Sequence, residues 1–216
     1  MENSKSKIGI YDECYNPVVF NNVRRCSRCL DVGCWTGNTG KALMEKKRCD
    51  VDGIDFKAEA LEEARKKGYK KTYLVNLNDE NFSLNIEDKY DYIICADVLE
   101  HLREPDKILR KLRKFLNENG QILISVPNIA FLQFRLELLA GRFDYNPKGG
   151  VMDATHLRFF TMKSIKEMCK KSGYKIINCY GYSEVKNRYF FLRPLSKIFP
   201  TLFAVQIFLK ITHDKR

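Results

Sequence analysis

The chain has 216 residues, 44% of them hydrophobic, which is enough for one domain with an ordinary core. Its opening, MENSKSKIGIYDEC, lacks the apolar run of a signal peptide, so export is not expected. A net charge of +11 admits an anionic partner, yet basic residues such as Lys66, Lys67, Lys170 and Lys171 lie in separate segments with no aromatic-interleaved stripe; a solvated surface is favoured over a nucleic-acid footprint.

In chain order, strand-like and helical runs alternate. A strand at Cys29–Val32 precedes a helix at Gly37–Lys47, a strand at Val51–Ile54 precedes a helix at Ala58–Lys67, and Thr72–Val75 reads as a strand. A strand at Tyr90–Cys95, a helix at Asp106–Leu116 closed by Asn119-Gly120, and a strand at Gln121–Val126 follow. This alternation predicts parallel βαβ units. After Pro127 the pattern changes to an extra helix over Asn128–Gly141 and a long loop over Arg142–Phe160, an insertion or lid at about 127–162. Thr161 reads as the N-cap of a helix to about Ser172, and Ser172-Gly173 ends it before a strand at Tyr174–Tyr182. The apolar stretch Phe203–Thr212 is shorter than the ~20 residues a membrane span needs and reads as a final strand. Between these strands, Ser183–Leu202 is read as a connection whose aromatic residues pack on the domain, with a membrane interface or partner contact as the alternative. No repeat or Pro/Gly/Ser-rich linker divides residues 1–216, so a single domain is expected.

Eight cysteines are dispersed, several inside apolar runs, which suits a reducing cytoplasm better than a disulfide framework. Cys26-Ser-Arg-Cys29 has metal-like spacing, but no second pair follows, and no metal site is expected.

The residues that carry chemistry begin at Leu30–Gly40, LDVGCWTGNTG, where a strand ends in a glycine-bearing turn and enters a helix. Such a turn brings backbone N–H groups and a helix N-terminus close to a ligand. A dinucleotide site would place a glycine where Trp35 stands, so a pyrophosphate ligand is disfavoured. Asp55 closes the second strand at the distance expected of an acid that accepts hydrogen bonds from ribose hydroxyls.

With this loop and acid, the chain resembles the class I S-adenosylmethionine-dependent methyltransferases, whose loop is close to LDVGCGTGxxG. The resemblance implies a Rossmann-like α/β sheet, mostly parallel with an antiparallel C-terminal strand and helices on both faces. It implies cofactor contacts from Asp31, Gly33, Cys34, Trp35, Gly37, Asp55 and Phe56, from Asn76 and Leu77 near the adenine, and from Ala96, Asp97 and Val98 after the fourth strand. Asp31 would lie near the ammonium group of S-adenosylmethionine. DVLEHL at Asp97–Leu102, then Pro105 and GQILISVPN, is similar to small-molecule and carbohydrate O-methyltransferases of the ubiquinone-biosynthesis type. DATHLRFFT at Asp153–Thr161 is similar to segments of bacterial and archaeal methyltransferases encoded among surface-polysaccharide and secondary-metabolite genes.

Methyl transfer from a sulfonium needs alignment, and a base when the acceptor is a hydroxyl. His101 and His156 are the candidate catalytic residues, while His213 stands in the terminal HDKR tail. Asp153 is expected to orient His156, and Arg158 to hold an anionic group on the acceptor. Glu100 is read as a carboxylate interacting with a helix dipole. The expected enzyme methylates a hydroxyl of a small molecule or glycan, lipid-linked and anionic forms included, and releases S-adenosylhomocysteine. An RNA methyltransferase is one alternative, although CADVLEHL stands where an Asn-Pro-Pro-Tyr-like motif would be expected; a non-catalytic cofactor-binding subunit is the other.

Overall fold

Strands that are apolar at nearly every position must be covered on both faces. The computed structural model, which describes residues 15–80, 82–146, 150–183 and 193–214, arranges them in that way. Its strands are β1 (Arg28–Val32), β2 (Asp50–Asp55), β3 (Thr72–Leu74), β4 (Tyr90–Ala96), β5 (Leu116–Pro127), β6 (Tyr174–Tyr182) and β7 (Gln206–His213). They form one seven-stranded sheet in the order β3-β2-β1-β4-β5-β7-β6. The first five run parallel, and β7 is antiparallel to both β5 and β6. The mostly parallel sheet with an antiparallel C-terminal strand is thus the one expected.

Side chains alternate across the pleat. Leu30, Val32, Ile93, Cys95, Ile122 and Ile124 enter one core with Ile108, Leu109 and Leu112 of α4 (Pro105–Leu112) and Ile165 and Cys169 of α6 (Met162–Lys171). Cys29, Val51, Tyr92, Ile94 and Leu123 enter the other, with Val19 of α1 (Pro17–Asn22), Leu43 of α2 (Asn38–Lys47) and Leu61 of α3 (Ala58–Lys66). The side chain of Thr161 accepts the backbone N–H of Ser164 and completes a capping box, so α6 starts where expected.

Three boundaries differ from the sequence reading. The helix expected over Asp106–Leu116 begins at Pro105 and ends at Leu112; Arg113–Phe115 tightens into a 3₁₀ turn, and Leu116 already pairs with Tyr90. Asn119-Gly120 therefore falls inside an irregular part of β5, where a Cβ at Gly120 would lie 2.9 Å from the Tyr90 carbonyl oxygen. The helix expected over Asn128–Gly141 is only α5 (Leu132–Leu139). Asn128 delays it, because its side-chain oxygen accepts the Ala130 N–H and its amide donates to the Ala204 carbonyl, holding a turn. The strand expected from Phe203 starts at Gln206, since Pro200–Phe203 forms α8 after α7 (Arg193–Ile198). Helix α1 was not anticipated, although Asn16-Pro17 is a start signal: the Asn16 side chain accepts the N–H groups of Val18 and Val19, with proline at the first helical turn.

Part of the connection expected over Ser183–Leu202, residues 184–192, lies outside the described residues, as does the opening segment at 1–14. Of what is described, Ile198 is 68% exposed and Phe199 56%, so the connection does not bury all its apolar groups. No helix among the described residues is long and apolar enough to cross a membrane. The seven described cysteines are free. Cys26 is exposed at the surface while Cys29 is buried in β1.

Candidate active site

The C-terminal ends of β1, β2 and β4 meet at the glycine loop. Gly33 and Cys34 both donate to the Ile54 carbonyl, tying the loop to β2. Gly33 has φ +70°, and a Cβ there would lie 2.7 Å from the Val98 side chain, so the second residue after β4 packs directly on the loop. Gly37, at φ +82°, caps α2 and faces the Tyr69 ring and Ala64, at 2.7 and 3.0 Å from where its Cβ would be. Both glycines are thus required by conformation and by close approach. Trp35 keeps the left-handed backbone that a glycine would favour, with φ +48°. Its ring is exposed, and the Lys57 ammonium sits 4.5 Å from its centroid.

Asp55 is buried and shapes this loop with both carboxylate oxygens: one accepts Trp35 N–H at 2.9 Å, the other Lys57 N–H at 3.0 Å. Asp31 is also buried and accepts the Tyr69 hydroxyl at 2.7 Å. Burial raises the Asp31 carboxyl to about 7, against the Tyr69 hydrogen bond and with help from the Asp55 charge. The Tyr69 hydroxyl also accepts the Gly40 N–H at 3.1 Å. The Thr36 hydroxyl is buried in the loop without a hydrogen-bond partner. A cradle that a Cβ would fill, two buried carboxylates and an unpartnered hydroxyl make this loop fit a polar ligand with hydroxyl and cationic groups.

The other expected cofactor residues surround this edge. Phe56 is 61% exposed beside Asp55. Asn76 is exposed and accepts the Asn78 N–H in a turn, with Leu77 half-buried between them. Ala96 ends β4, and Asp97, at φ +53°, turns the chain out of it, its N–H donating to the Ser125 carbonyl.

Beyond Val98, a 3₁₀ turn over Leu99–His101 receives the insertion. The Glu100 carbonyl accepts the N–H groups of Leu157 and Arg158 at 2.8 and 3.0 Å, which docks DATHLRFFT onto the end of β4. The imidazoles of His101 and His156 lie edge to face, 4.7 Å between centroids. His156 Nδ1 is 2.9 Å from the Val151 carbonyl oxygen. His101 Nδ1 is 3.2 Å from the Thr155 carbonyl oxygen and 3.1 Å from the Thr155 hydroxyl, whose own proton goes to Asp153. A carbonyl only accepts, so both Nδ1 atoms carry a proton, and in the neutral form of each ring the lone pair lies on Nε2. Burial pulls the His156 pKa below its usual value, with the His101 charge acting the same way and the Val151 bond opposing it.

One expected contact changes, and a second residue has a further partner. Asp153 orients His101 through Thr155 and does not bond the His156 ring; burial opposes the ionised form of Asp153, but the two Thr155 bonds win and its carboxyl falls below the usual value. Arg158 donates to the Arg103 carbonyl through Nε and one terminal nitrogen, which anchors the loop.

Glu100 differs most from expectation. It is 1% exposed, and no other described residue hydrogen-bonds either carboxylate oxygen. Burial, with Asp97 and Asp153 nearby, pushes its carboxyl well above the usual range. Glu100, His101 and His156 each offer a ligand atom, all within 4.8 Å of one another. Sequence spacing showed Glu100 beside His101 but gave no sign that His156, on another element, would join them. Asn16 was missed as well: its amide reaches Ser125 of β5 at 3.4 Å, and its N–H donates to Thr39 at the start of α2.

Known proteins are similar to this chain in sequence and fold. The chain is 23% identical to a ubiquinone biosynthesis O-methyltransferase of Coxiella burnetii over 175 residues, covering 77% of this chain and 72% of that protein. To the enzyme of the same name from Hydrogenovibrio crunogenus it is 28% identical over 149 residues, 67% of this chain and 60% of that one. Among solved structures, a S-adenosylmethionine-dependent methyltransferase from Clostridium acetobutylicum superposes with TM-score 0.60 at 18% identity, covering 91% of this chain and 87% of that one. Magnesium protoporphyrin IX methyltransferase from Synechocystis, solved with S-adenosylhomocysteine bound, gives 0.59 at 18% identity over 91% and 78%. Residues 15–178, from the cap of α1 into β6, match the methyltransferase domain model, and a match over that much of the sheet and its glycine loop places this chain within the methyltransferase-domain family.

Proposed function

We propose that this methyltransferase, with S-adenosylmethionine as its methyl donor, methylates a hydroxyl oxygen of a small molecule or glycan. The observation that carries the reading is the His101–His156 pair, whose Nδ1 atoms are engaged by backbone carbonyls beside the turn that follows β4, at the sheet edge that holds the glycine loop. The bound donor supplies an already activated methyl group. Asp55 then holds the ribose, Asp31 and the loop hold the amino-acid end, and the docked insertion positions the acceptor. An imidazole Nε2 takes the acceptor's hydroxyl proton as the oxygen attacks, a contribution of ~10²–10⁴-fold. The exposed Leu138, Leu139, Phe143 and Tyr145 of the insertion offer an apolar surface to a lipid-linked acceptor.

The test is transfer of isotope-labelled methyl to phenols, hydroxy sugars, their lipid-linked forms and RNA. Oxygen methylation of a phenol or sugar is expected; labelling confined to RNA, or none with any acceptor despite cofactor binding, would reverse the reading.

Asp31 gives this site a pH dependence. With its carboxyl raised to about 7, it is largely neutral below that pH in the free protein and must lose a proton to meet an ammonium group. Affinity for S-adenosylhomocysteine is therefore expected to rise with pH toward about 7 and then level off, and Asp31→Asn to flatten that slope in calorimetric titrations.

A further inference from the structure

We propose that Cys29 and Cys49 form a modification site, a dithiol that a hydroperoxide converts into a disulfide. Cys29 lies in β1 and Cys49 directly precedes β2, at the end of these strands opposite the glycine loop. The strands run in parallel with Arg28 opposite Asp50 and Cys29 opposite Val51, and the Asp50 N–H donates to the Ser27 carbonyl. Cys49 is therefore a diagonal neighbour of Cys29, and both side chains enter the core that α1 and α2 cover. Their thiols hydrogen-bond to each other. Because Cys49 stands outside the strand ladder, in the turn after α2, its backbone can follow as the sulfurs close to ~2.05 Å.

The surroundings make the two thiols unequal. The hydrogen bond from Cys29 draws the Cys49 thiol down to about 6, with burial opposing and the Ser27 backbone and Lys47 ammonium assisting. Cys29 keeps its proton, since the same contact and burial push its thiol up. Two basic runs meet here: the Arg25 guanidinium donates to the Lys46 carbonyl and the Cys26 N–H to the Lys47 carbonyl, with Arg24, Arg25, Lys46 and Arg48 exposed. Arg48, immediately before Cys49, has φ +56°, and Cys26, in the turn before β1, has φ +54°. Left-handed backbone without glycine is strained, so local opening of these turns is favoured and admits a small peroxide to the buried sulfur.

The Cys49 thiolate attacks one peroxide oxygen, the O–O bond breaks, and the hydroxide that leaves is protonated by solvent. The Cys29 thiol then attacks the sulfenic sulfur. The S–S bond forms, the S–O bond breaks, and the departing hydroxide takes the Cys29 proton and leaves as water. Each sulfur gives up one electron, and the peroxide gains the two. The new bond closes a loop over residues 29–49, which contains Gly33, Gly37 and all of α2, so it restrains the cofactor loop without touching it.

The full-length chain is reduced, freed of reductant under nitrogen and treated with a slight excess of hydrogen peroxide, with S-adenosylhomocysteine binding as the check that it stays folded. Two of its eight thiols should be lost, with a mass lower by two hydrogens and a peptide pair joining Cys29 to Cys49, all reversed by a dithiol reductant. Cys29→Ser should stop at a sulfenic acid on Cys49 that a cyclic dione traps, and Cys49→Ser should lose the fast reaction. If Cys29→Ser does not fold, Cys26→Ser, at the exposed position, is expected to form the same disulfide at the wild-type rate. In the oxidised chain, amide exchange across residues 33–47 should slow. No thiol loss in the folded protein, a bond to Cys26 or Cys34, or an undiminished rate in Cys49→Ser overturns the site. Unchanged amide exchange in a chain that carries the disulfide overturns the restraint on the cofactor loop.

Discussion

Replacing Asp55 with alanine is expected to weaken S-adenosylhomocysteine binding by about 100-fold or more, because each hydrogen bond to a charged group contributes ~1.5–3 kcal/mol and two ribose hydroxyls are lost together. The loss is compounded within the free protein. The two Asp55 oxygens accept Trp35 N–H and Lys57 N–H, so the carboxylate that receives the ribose also sets the backbone of the loop beneath it. Asp55→Asn keeps one acceptor oxygen and replaces the other with a donor that faces an N–H group, so its loss should be nearly as large. Calorimetry with each variant, alongside circular dichroism to confirm that the sheet persists, decides the matter. Unchanged affinity in a folded Asp55→Ala protein would remove the ribose assignment.

His101→Ala carries the second large effect, a fall in kcat of ~10²–10⁴-fold with S-adenosylhomocysteine affinity close to that of the wild type. The ring is half-exposed and its Nδ1 is bonded only to Thr155, so its removal leaves the buried Val151–His156 contact in place. With Nε2 gone, the loss falls on the chemical step. Thr155→Val separates orientation from chemistry, because it removes the hydroxyl that links Asp153 to His101 and leaves the imidazole present. Its expected effect is a smaller fall in kcat. A His101→Ala enzyme with wild-type kcat on an identified hydroxyl acceptor would exclude that role.

The sheet was legible because its determinants are local. Apolar runs such as Tyr90–Cys95 and Gln121–Val126 and the cap at Thr161 act within a few residues. The glycine loop was legible for the same reason: Gly33, Gly37 and Asp55 owe their roles to a strand end, a turn and a helix start. Errors arose where tertiary contacts override local preference. Leu116 leaves the expected helix because it pairs with Tyr90, and Asn128 holds a turn because Ala204, far along the chain, accepts its amide. Glu100 was misread on similar grounds. Nothing in LEHL shows that the insertion will fold over it, dock two N–H groups on its carbonyl and seal its carboxylate from water.

The position of β7 bears on how the protein is made. It enters between β5 and β6, and β6 pairs with no other strand of the sheet. Until Gln206–His213 leaves the ribosome, Ile122, Leu123, Ile124 and Val126 of β5 line an unsatisfied edge of a half-built sheet, open to pairing with other nascent chains. Closing that edge requires joining segments far apart in sequence, which slows folding. Recombinant yield should therefore depend on chaperone supply and growth temperature more than the completed fold would suggest, and truncations before β7 should accumulate as aggregates.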